Sequence, residues 1–538
     1  MAEVGRFATL YATNGMVCSP DHLASSAGVA ILRAGGSAAD AAIATSAVLA
    51  VTTPFQCGMG GDLFALAHVA RGAPVVLNAS GRAGSGADPD RLRADRHDRM
   101  PLRGDIRSVP VPGCVDGWLT LHERLGRLPL GDVLAPAIAC AQDGFAASAL
   151  LAAMVPLVQG IAGTEPFFQG GRLRAGHRVH RPGVAVALQA IARSGRDGFY
   201  GGAFGEGLLQ LGREAPGGTP TGEYAPDDLA TSLADWVEPL GRRLWDHDVW
   251  TVPPNSQGYL TLGAASVLER LDRIVRLPPP AEAGWAHLLA EASKLAGADR
   301  PDVLHEHADG DALLAADRLD RWRSAIDPGR AVRLRAPHDT GGTIFLCVVD
   351  GDGHGVSLIQ SNAADFGAYL VEPTTGIFLH NRGIGFSLTP GHPAEYGPGR
   401  RPPSTLAPAL VTRPDGTLRT VLGTMGGDVQ PQTILQLLVR LLHAGEPPGT
   451  VVSAPRWLLR RAGGRGFDLW DADTVALAVE ADAPAAWFDG LAARGHEVVR
   501  IGSADHAAGH AQLIDITPSG TLAGASDPRA GSGAAAAH

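Results

Sequence analysis

The chain has 538 residues, 45% of them hydrophobic and 19% charged, which is enough apolar material for the large buried core of a globular protein. A formal net charge of −10 and a pI near 6.0 provide no basic surface for phosphate groups. Nucleic acid and anionic membranes are therefore poor partners, and soluble small molecules are better ones.

The first residues do not combine a basic start with an apolar run of signal-peptide length, and no uncharged apolar stretch has the length of a bilayer span. We therefore expect a cytoplasmic protein. The cysteines are odd in number and lack CxxC spacing, so we expect reduced, buried thiols at Cys18, Cys57, Cys114, Cys140 and Cys347.

Residues 21–50 carry apolar positions at helical spacing, broken at Gly35 and Gly36, with Ser37 as a plausible N-cap. This pattern predicts two helices joined by a turn. After it, short apolar runs predict a strand hairpin at 63–69 and 74–78, and helical spacing predicts helices at 118–125, 130–143 and 184–194.

Residues 146–335 read as mostly helical, apart from a strand pattern at 243–252. Short apolar runs bounded by turns then predict strands at 343–350, 355–361, 406–412 and 420–424, followed by an apolar helix at 430–443. The closing AGSGAAAAH is of low complexity and is predicted to be disordered. With no fixed repeat and no clear linker, a single layered unit of helices and strands is the expected architecture.

Thr343 is the candidate nucleophile, because it follows the flexible Gly341 and Gly342 and opens a run apolar enough for a buried strand. Cleavage of the Gly342–Thr343 bond would give Thr343 a free α-amine beside its own hydroxyl. An α-amine has a reference pKa of about 7.7–8.0, so one residue could supply both nucleophile and base near neutral pH. Taken alone, Gly-Gly-Thr before a strand is more typical of a simple turn than of a nucleophile.

Several segments, in order, resemble the γ-glutamyltransferase family. They are residues 19–64, which contain GGSAADAA and PFQCGMGG, then VPGCVDGW at 111–118, LAPAIACAQDGF at 134–145, WVEPL at 236–240, PPNSQG at 253–258, VSLIQSN at 356–362 and GASDPR at 524–529. The resemblance implies an N-terminal-nucleophile hydrolase with a four-layer αββα core. It also implies a precursor that cuts itself into a large chain, 1–342, and a small chain, 343–538, which together form one interwoven unit.

The same resemblance assigns roles to individual residues. In the family the nucleophile precedes an Asp-x-Asp-Gly turn by seven residues, which Thr343 satisfies and Thr340 does not. Ser361 would orient the nucleophile, and the amides of Gly426 and Gly427 would receive the oxyanion, since glycine lets backbone N–H groups approach closely. A guanidinium with two hydroxyls makes a sound carboxylate receptor, and the residues in those positions are Arg82, Ser404 and Thr405.

The sequence departs from glutamyl-specific members at the positions that hold the substrate α-amine. These positions carry Ala363, Arg382 and Gly385, so the carboxylate is lost and Arg382 would repel an ammonium unless it points away. Arg382 is retained as a substrate-binding candidate. The lid at 386–401 also looks short. Both changes favour hydrolysis of a glutaryl-type or oxamate-like acyl amide over glutathione.

No cofactor and no metal are predicted, because His305-Glu306-His307 lacks the i, i+4 histidine spacing of a zinc helix and reads as an exposed polar stretch. The expected activity is transfer of a γ-glutamyl or related carboxylate-bearing acyl group from an amide to water or an amine through an ester on Thr343. The family also suggests a homodimer of two-chain units. The rival hypothesis is an uncleaved, noncatalytic relative that binds a ligand or a partner.

Overall fold

Two seven-stranded antiparallel sheets lie at the centre of the molecule, in a computed structural model that describes residues 8–168, 170–215, 219–220, 222–332, 342–461 and 475–538. The order in the first sheet is Leu10–Ala12, Leu522–Ser526, Ala511–Ile516, Leu418–Thr424, Ala409–Thr412, His247–Thr251 and Leu240–Leu244. The order in the second sheet is Ala534–Ala537, Met16–Ser19, Gly342–Val349, Gly355–Ala363, Asp62–His68, Val75–Ala79 and Asp235–Val237.

The two sheets pack face to face, because alternate side chains on each strand point to opposite faces. Phe345 and Ile359 of the second sheet share one buried cluster with Val421 and Ile514 of the first. On the outer face of the second sheet, Ile344 packs instead into a cluster shared with helices. The molecule is thus a four-layer αββα structure, as the resemblance predicted.

Helices cover the outer face of each sheet. The helices over the second sheet are His22–Arg33, Ala38–Thr52, Cys114–Leu125, Leu130–Asp143, Ala149–Met154, Pro182–Phe199 and Ala203–Leu211. Those on the side of the first sheet are Tyr259–Asp272, Ala283–Gly297, Ala316–Ala325, Gln430–Leu438, Pro448–Ser453 and Ala485–Ala493. The remaining short helices are Pro89–Ala94, Pro226–Ala230, Arg300–Val303 and Gly310–Leu313.

The predicted helix pair near the start of the chain is confirmed. Ser37 caps the second helix, accepting a hydrogen bond from the Asp40 amide at 3.1 Å while Asp40 Oδ2 accepts one from the Ser37 amide at 2.9 Å. Such a reciprocal capping box satisfies two otherwise unpaired backbone donors. Every residue of Ala38–Thr52 is buried, so this helix forms the centre of its layer rather than its surface.

Several predicted elements differ in extent from the structure. The strand expected at 243–252 is a hairpin of Leu240–Leu244 and His247–Thr251, because Trp245 and Asp246 both adopt left-handed conformations and reverse the chain. The helix expected at 184–194 is the longer Pro182–Phe199, kinked at Gly195. The helix expected at 430–443 is α-helical only to Leu438 and continues as a π-helical turn.

The prediction of disorder for the closing segment is wrong. Ala534–Ala537 pairs antiparallel with Met16–Ser19 as an edge strand, and the backbone amide of His538 donates to the Gly15 carbonyl at 3.2 Å. Small side chains lie close under helix His22–Arg33, where Ser25 Oγ donates to the Ala534 carbonyl at 2.8 Å. Low complexity here therefore does not mean lack of structure.

A separate three-stranded sheet, Trp457–Arg461, Val475–Glu480 and Glu497–Ile501, packs with helix Ala485–Ala493 beside the first sheet. The cysteines form no disulfide in the described residues, and only Cys140 among them is half-buried. Across the described ranges, no helix combines the length and the apolar character needed to cross a membrane.

Candidate active site

Thr343 lies one residue inside the central strand Gly342–Val349 and is fully buried. Gly342 pairs with Ala363 and Ile344 pairs with Gln360, so two residues of the neighbouring strand, Ser361 and Asn362, lie opposite the single Thr343. A bulge of this kind redirects a side chain and is common beside active sites. Gly341 and the rejected alternative Thr340 lie outside the described residues.

Ser361 joins the hydroxyl of Thr343 to the peptide bond that precedes it. Its Oγ lies 3.1 Å from Thr343 Oγ1, donates to the Gly342 carbonyl oxygen at 2.7 Å and accepts from the Ala363 amide at 2.8 Å. Because the one Ser361 proton goes to the carbonyl, the Thr343 hydroxyl must donate to Ser361. Ser361 thus orients the Thr343 hydroxyl and polarises the carbonyl next to it.

The segment after Ser361 is conformationally strained. Ala363, Asp365 and Tyr369 all have positive φ angles, of 70°, 47° and 57°, although none is glycine. Such conformations cost ~1–3 kcal/mol each and cluster at functional sites. Arg103 holds the segment in place by donating to the carbonyls of Ala364 and Gly367 and by pairing with Asp365 at 3.2 Å.

Gly426 and Gly427 follow strand Leu418–Thr424 with φ angles of 133° and 59°, which favour glycine at both positions. This strand packs directly on the nucleophile strand, since a Cβ at Gly423 would lie 2.5 Å from the ring of Phe345. Gln257 Nε2 fixes the diglycine by donating to the Gly427 carbonyl at 3.0 Å. The oxyanion role of the two amides stays a prediction.

Arg82, predicted to receive a substrate carboxylate, is already surrounded by acceptors of the protein itself. Its guanidinium bonds Asp235 at 3.1 Å and the Gly399 carbonyl at 3.1 Å, and it lies 3.5 Å from Glu306. The side chain is still 34% exposed. The role of Arg82 in binding the substrate carboxylate stays a prediction. A substrate carboxylate would have to share the Arg82 guanidinium with the carboxylates of Asp235 and Glu306.

The expectation of an exposed stretch at residues 305–307 is wrong for its central residue. His307 is exposed, but the Glu306 side chain is only 9% exposed. Its carboxylate lies between Arg82 and Arg400 and accepts the Arg401 amide at 3.2 Å. The sequence did not indicate that Glu306 is buried among arginines, because Arg82 and Arg400 lie far from it along the chain.

Arg382 and Thr405 meet in the structure, whereas Ser404 is fully buried beside them. Arg382 Nη1 donates to Thr405 Oγ1 at 3.0 Å, and its Nε donates to the buried carboxylate of Asp62 at 2.7 Å. Because Asp62 balances its charge, Arg382 is not the isolated cation that the sequence suggested. Ser404 Oγ accepts the Leu406 amide at 3.3 Å and so braces the turn that carries Thr405.

Two positions that hold the α-amine in glutamyl-specific enzymes offer no polar side chain here. Ala363 is buried and apolar. At Gly385 a Cβ would lie 2.4 Å from the Pro403 carbonyl oxygen, so the local backbone excludes any side chain. The predicted loss of these two ammonium contacts therefore has a steric basis at Gly385.

A cavity of about 410 Å³ opens beside these residues. Its wall combines Gly385, Pro403 and Arg300 with residues of the predicted lid, including Phe386 and Leu388. The cavity is mixed in character, because apolar Phe386 and Leu388 alternate with polar Ser387 and Thr389 along the lid, and Asp98, Arg99, Arg300 and Asp302 add charged groups. This volume accommodates a ligand considerably larger than a bare two-carbon acid.

The lid is anchored by a hydrogen bond between Tyr396 and the buried side chain of Glu223. Burial raises the pKa of Glu223 to about 8, and Tyr396 of the lid donates a short hydrogen bond to its carboxylate. Burial and the neighbouring Glu223 also raise the pKa of the Tyr396 hydroxyl well above its ordinary value. This raised pKa favours the protonated form of Glu223, whose carboxyl oxygen accepts the hydrogen bond from Tyr396.

Sequence reasoning missed Asp62, Arg103, Gln257, Arg300 and Asp428, all of which contact the predicted site residues or their immediate neighbours. Asp62 and Gln257 stand inside segments already noted, GMGGD and PPNSQG, and Asp428 ends GTMGGD. Asp62, Gln257 and Asp428 could therefore have been chosen as candidates from their positions within these motifs. Nothing in the local sequence distinguishes Arg103 or Arg300 from other arginines.

Comparison with known proteins places this geometry in context. The family model described as gamma-glutamyltranspeptidase matches residues 24–537. The oxamate amidohydrolase proenzyme of Klebsiella pneumoniae is 36% identical over 98% of this chain and 99% of its own length. The glutathione hydrolase-like YwrD proenzyme of Bacillus subtilis is 35% identical over 97% and 98%. The crystal structure of cephalosporin acylase from Bacillus halodurans superposes with a TM-score of 0.88 and 31% identity, covering 100% and 98% of the two chains.

Proposed function

This chain belongs to the gamma-glutamyltranspeptidase family, and we propose that it cuts its own Gly342–Thr343 bond and then uses Thr343 to break acyl amides. The observation that carries the proposal is the position of Ser361 Oγ, 3.1 Å from Thr343 Oγ1 and 2.7 Å from the Gly342 carbonyl oxygen. One hydroxyl thus touches both the nucleophile and the bond to be cut.

Self-cleavage follows from these contacts. Thr343 Oγ1 adds to the Gly342 carbonyl carbon while Ser361 stabilises the developing negative charge on the carbonyl oxygen. The C–N bond then breaks, and the proton lost by the hydroxyl passes to the departing nitrogen, leaving an ester on Thr343 with a free α-amine. Water hydrolyses this ester, which releases a carboxyl group on Gly342 and restores the Thr343 hydroxyl.

In turnover the freed α-amine acts as the base. It takes the hydroxyl proton as Oγ1 attacks the substrate amide, and it returns that proton to the leaving amine. The amides of Gly426 and Gly427 stabilise the oxyanion, for which glycine allows close approach. Water or an acceptor amine then attacks the acyl ester, giving hydrolysis or transfer respectively.

The preferred donor in this proposal bears a carboxylate but no α-ammonium. Arg82 and Thr405 are the proposed carboxylate ligands, while Ala363 and Gly385 provide nothing to an ammonium. The similarity to an oxamate amidohydrolase proenzyme supports an oxamate-like or glutaryl-type donor, and the similarity to a glutathione hydrolase proenzyme makes γ-glutamyl compounds the second candidate.

A denaturing gel with intact mass measurement tests the proposal. Purified protein is expected to give chains of 342 and 196 residues, the smaller one beginning at Thr343. Thr343→Ala is expected to stay full length and to release no product from any acyl p-nitroanilide. A single stable full-length chain from the unaltered sequence would instead support the noncatalytic ligand-binding relative.

A further inference from the structure

Arg382 connects two sides of the candidate active site. Its Nε and Nη2 donate to the two carboxylate oxygens of Asp62 at 2.7 and 3.4 Å, and its Nη1 donates to Thr405 Oγ1 at 3.0 Å. Asp62 lies directly opposite Ser361 on the neighbouring strand. The guanidinium therefore joins the strands beside the candidate nucleophile to the turn that carries Thr405.

The turn that carries Thr405 also adjoins the diglycine loop. Gln257 Nε2 donates to the carbonyl oxygens of Thr405 and Gly427 at 2.8 and 3.0 Å. Two acceptors of one amide nitrogen must lie close together, so Thr405 stands beside the proposed oxyanion site. A substrate whose amide carbonyl is held by Gly426 and Gly427 thus has Thr405 within reach of its other polar groups.

The direction of the hydrogen bond between Arg382 and Thr405 decides what the Thr405 hydroxyl can bind. A guanidinium only donates, so Thr405 Oγ1 is the acceptor and its own proton is left over. Among the described residues no acceptor takes that proton, although Thr405 is only 8% exposed. Because buried polar groups are normally hydrogen-bonded, the unused donor marks a place for an acceptor on the substrate. An ammonium would instead compete with the guanidinium for the same oxygen.

We propose that Arg382 is a positioning residue for donor specificity, which acts through Thr405 by holding Oγ1 as an acceptor and leaving its proton for the substrate carboxylate. This inference rests on the proposed function, in which Thr405 is a ligand of that carboxylate. Asp62 fixes the other edge of the guanidinium, and the side chains of Arg382 and Asp62 are 3% and 0% exposed.

The test compares glutaryl-p-nitroanilide with valeryl-p-nitroanilide, in which a methyl group replaces the carboxylate. All rates are divided by the fraction of cut chain. Thr405→Val removes the hydroxyl at nearly constant volume, so it is expected to lower kcat/KM for the glutaryl compound about 10- to 100-fold and for the valeryl compound less than about threefold. Thr405→Ser keeps the hydroxyl and should retain most of the glutaryl activity.

Arg382→Lys tests the positioning role, because a single ammonium lacks the planar fork that reaches Asp62 and Thr405 together. It is expected to lower kcat/KM for the glutaryl compound about tenfold and to spare the valeryl compound. If Arg382 acts through Thr405, adding Arg382→Lys to Thr405→Val causes no further loss. The control is Arg440→Lys, a buried arginine paired with Glu446 at 3.0 Å outside the candidate site, which should change neither donor.

Asp62→Asn combined with Arg382→Gln removes both charges and supplies the comparison if Arg382→Lys does not fold. This pair of changes should also reduce glutaryl turnover and spare valeryl turnover. The inference is overturned if these variants leave glutaryl turnover unchanged, or if they slow both donors equally. It is also overturned if the losses from Arg382→Lys and Thr405→Val multiply, since Arg382 would then contact the carboxylate independently of Thr405.

Failure of the proposed function has a different signature. The unaltered chain would then remain uncut, would turn over neither anilide, or would turn over the two at equal rates. Thr405→Val without effect on the glutaryl compound would overturn both the assignment of Thr405 as a ligand and the role of Arg382.

Discussion

A side chain on Gly342 would collide with the backbone of Asp365. An ideal Cβ built on Gly342 lies 2.7 Å from the Asp365 nitrogen and 3.0 Å from its Cα. Both obstacles are backbone atoms of the strained segment that Arg103 holds, so they cannot swing aside as a flexible side chain could. The residue before the nucleophile is therefore restricted to glycine by its surroundings.

We accordingly expect Gly342→Ala to slow self-cleavage. Overpacking costs ~1–3 kcal/mol, and here it displaces the carbonyl that Thr343 attacks, so a decrease of about tenfold or more is expected. The measurement is the fraction of cut chain against time after synthesis. Gly131→Ala is the matched control, since a Cβ there meets nothing within 4 Å. Equal cleavage rates for the two variants would contradict the steric explanation.

Ser361→Ala is expected to reduce both self-cleavage and turnover by about 100-fold, because it removes a donor aimed at the developing oxyanion and frees the Thr343 hydroxyl to rotate. Ser361→Thr should retain most activity. Ser357→Ala on the same strand provides the control, because the buried Ser357 hydroxyl has no hydrogen-bond partner in the described residues. Comparable losses at both serines would indicate damage to the strand instead.

For substrates, we expect glutaryl-p-nitroanilide to have a kcat/KM about tenfold above that of γ-glutamyl-p-nitroanilide. An ammonium that enters a site without a partner loses hydration worth ~1–3 kcal/mol. Initial rates of p-nitroaniline release measure this preference. Gly385→Asp should not restore glutamyl preference, since the Pro403 carbonyl would lie 2.4 Å from its Cβ. Faster turnover of the amino compound by the unaltered enzyme would refute the specificity proposal.

The raised pKa of Glu223 predicts a pH-dependent stability. Its folded-state pKa of about 8 lies above the ordinary 4.5, so its contribution to stability is complete below pH 4.5 and is lost as the pH rises through about 8. Thermal melts across this range should show a falling Tm that Glu223→Gln flattens. Exposed Glu282→Gln should leave the curve unchanged, and a flat curve for the unaltered protein would contradict the assignment.

A buried chain of polar groups predicts a large effect at Lys294. Lys294 Nζ donates to Glu291 at 2.8 Å and lies 3.2 Å from His496 Nδ1, whose other nitrogen is 2.8 Å from His287 Nδ1. Lys294→Met would leave the buried Glu291 carboxylate without its ammonium partner, although Oε2 would still accept the Val332 amide, and should lower the free energy of unfolding by ~3–5 kcal/mol. Denaturant melts should show a much smaller loss for Arg321→Met, which breaks the solvent-exposed pair with Asp317. Similar losses for both would contradict the argument.

The same cluster predicts an opposite trend in acid. Burial and the charge of Lys294 lower the pKa of His496 to about 3, below its ordinary 6.5. A lowered folded-state pKa gives stability that is present above pH 6.5 and is lost as the pH falls toward 3. Stability of the unaltered protein should therefore decline on both sides of a maximum, and His496→Asn should reduce the acid-side slope.

Local patterns in the sequence were sufficient for much of the fold. The capping box of Ser37 and Asp40 lies within four residues, and short apolar runs bounded by turns located both strands on which Thr343 and Ser361 stand. The choice of Thr343 over Thr340 came from the family resemblance, since the local pattern alone favours a simple glycine-rich turn. The site assignments themselves stay predictions until the variants are measured.

The rest depended on contacts between distant residues. Arg382 meets Asp62 across 320 positions, so its charge looked isolated in the sequence although it is balanced in the fold. Glu306 likewise looked solvated because Arg82 and Arg400 lie far from it in the chain. Ala534–Ala537 has no intrinsic preference for a strand, and only the open edge of Met16–Ser19 makes it one. Local patterns in a single sequence do not indicate which of its distant residues are in contact.

The position of strand Met16–Ser19 determines what a cut at residue 342 can do. It is hydrogen-bonded on one side to Gly342–Val349 and on the other to Ala534–Ala537, and both neighbours would belong to the small chain after cleavage. Asp62–His68, from the large chain, is similarly ladder-paired to Gly355–Ala363. Strands of the two products would thus alternate within one sheet. The products could separate only if the backbone hydrogen bonds of that central sheet were broken.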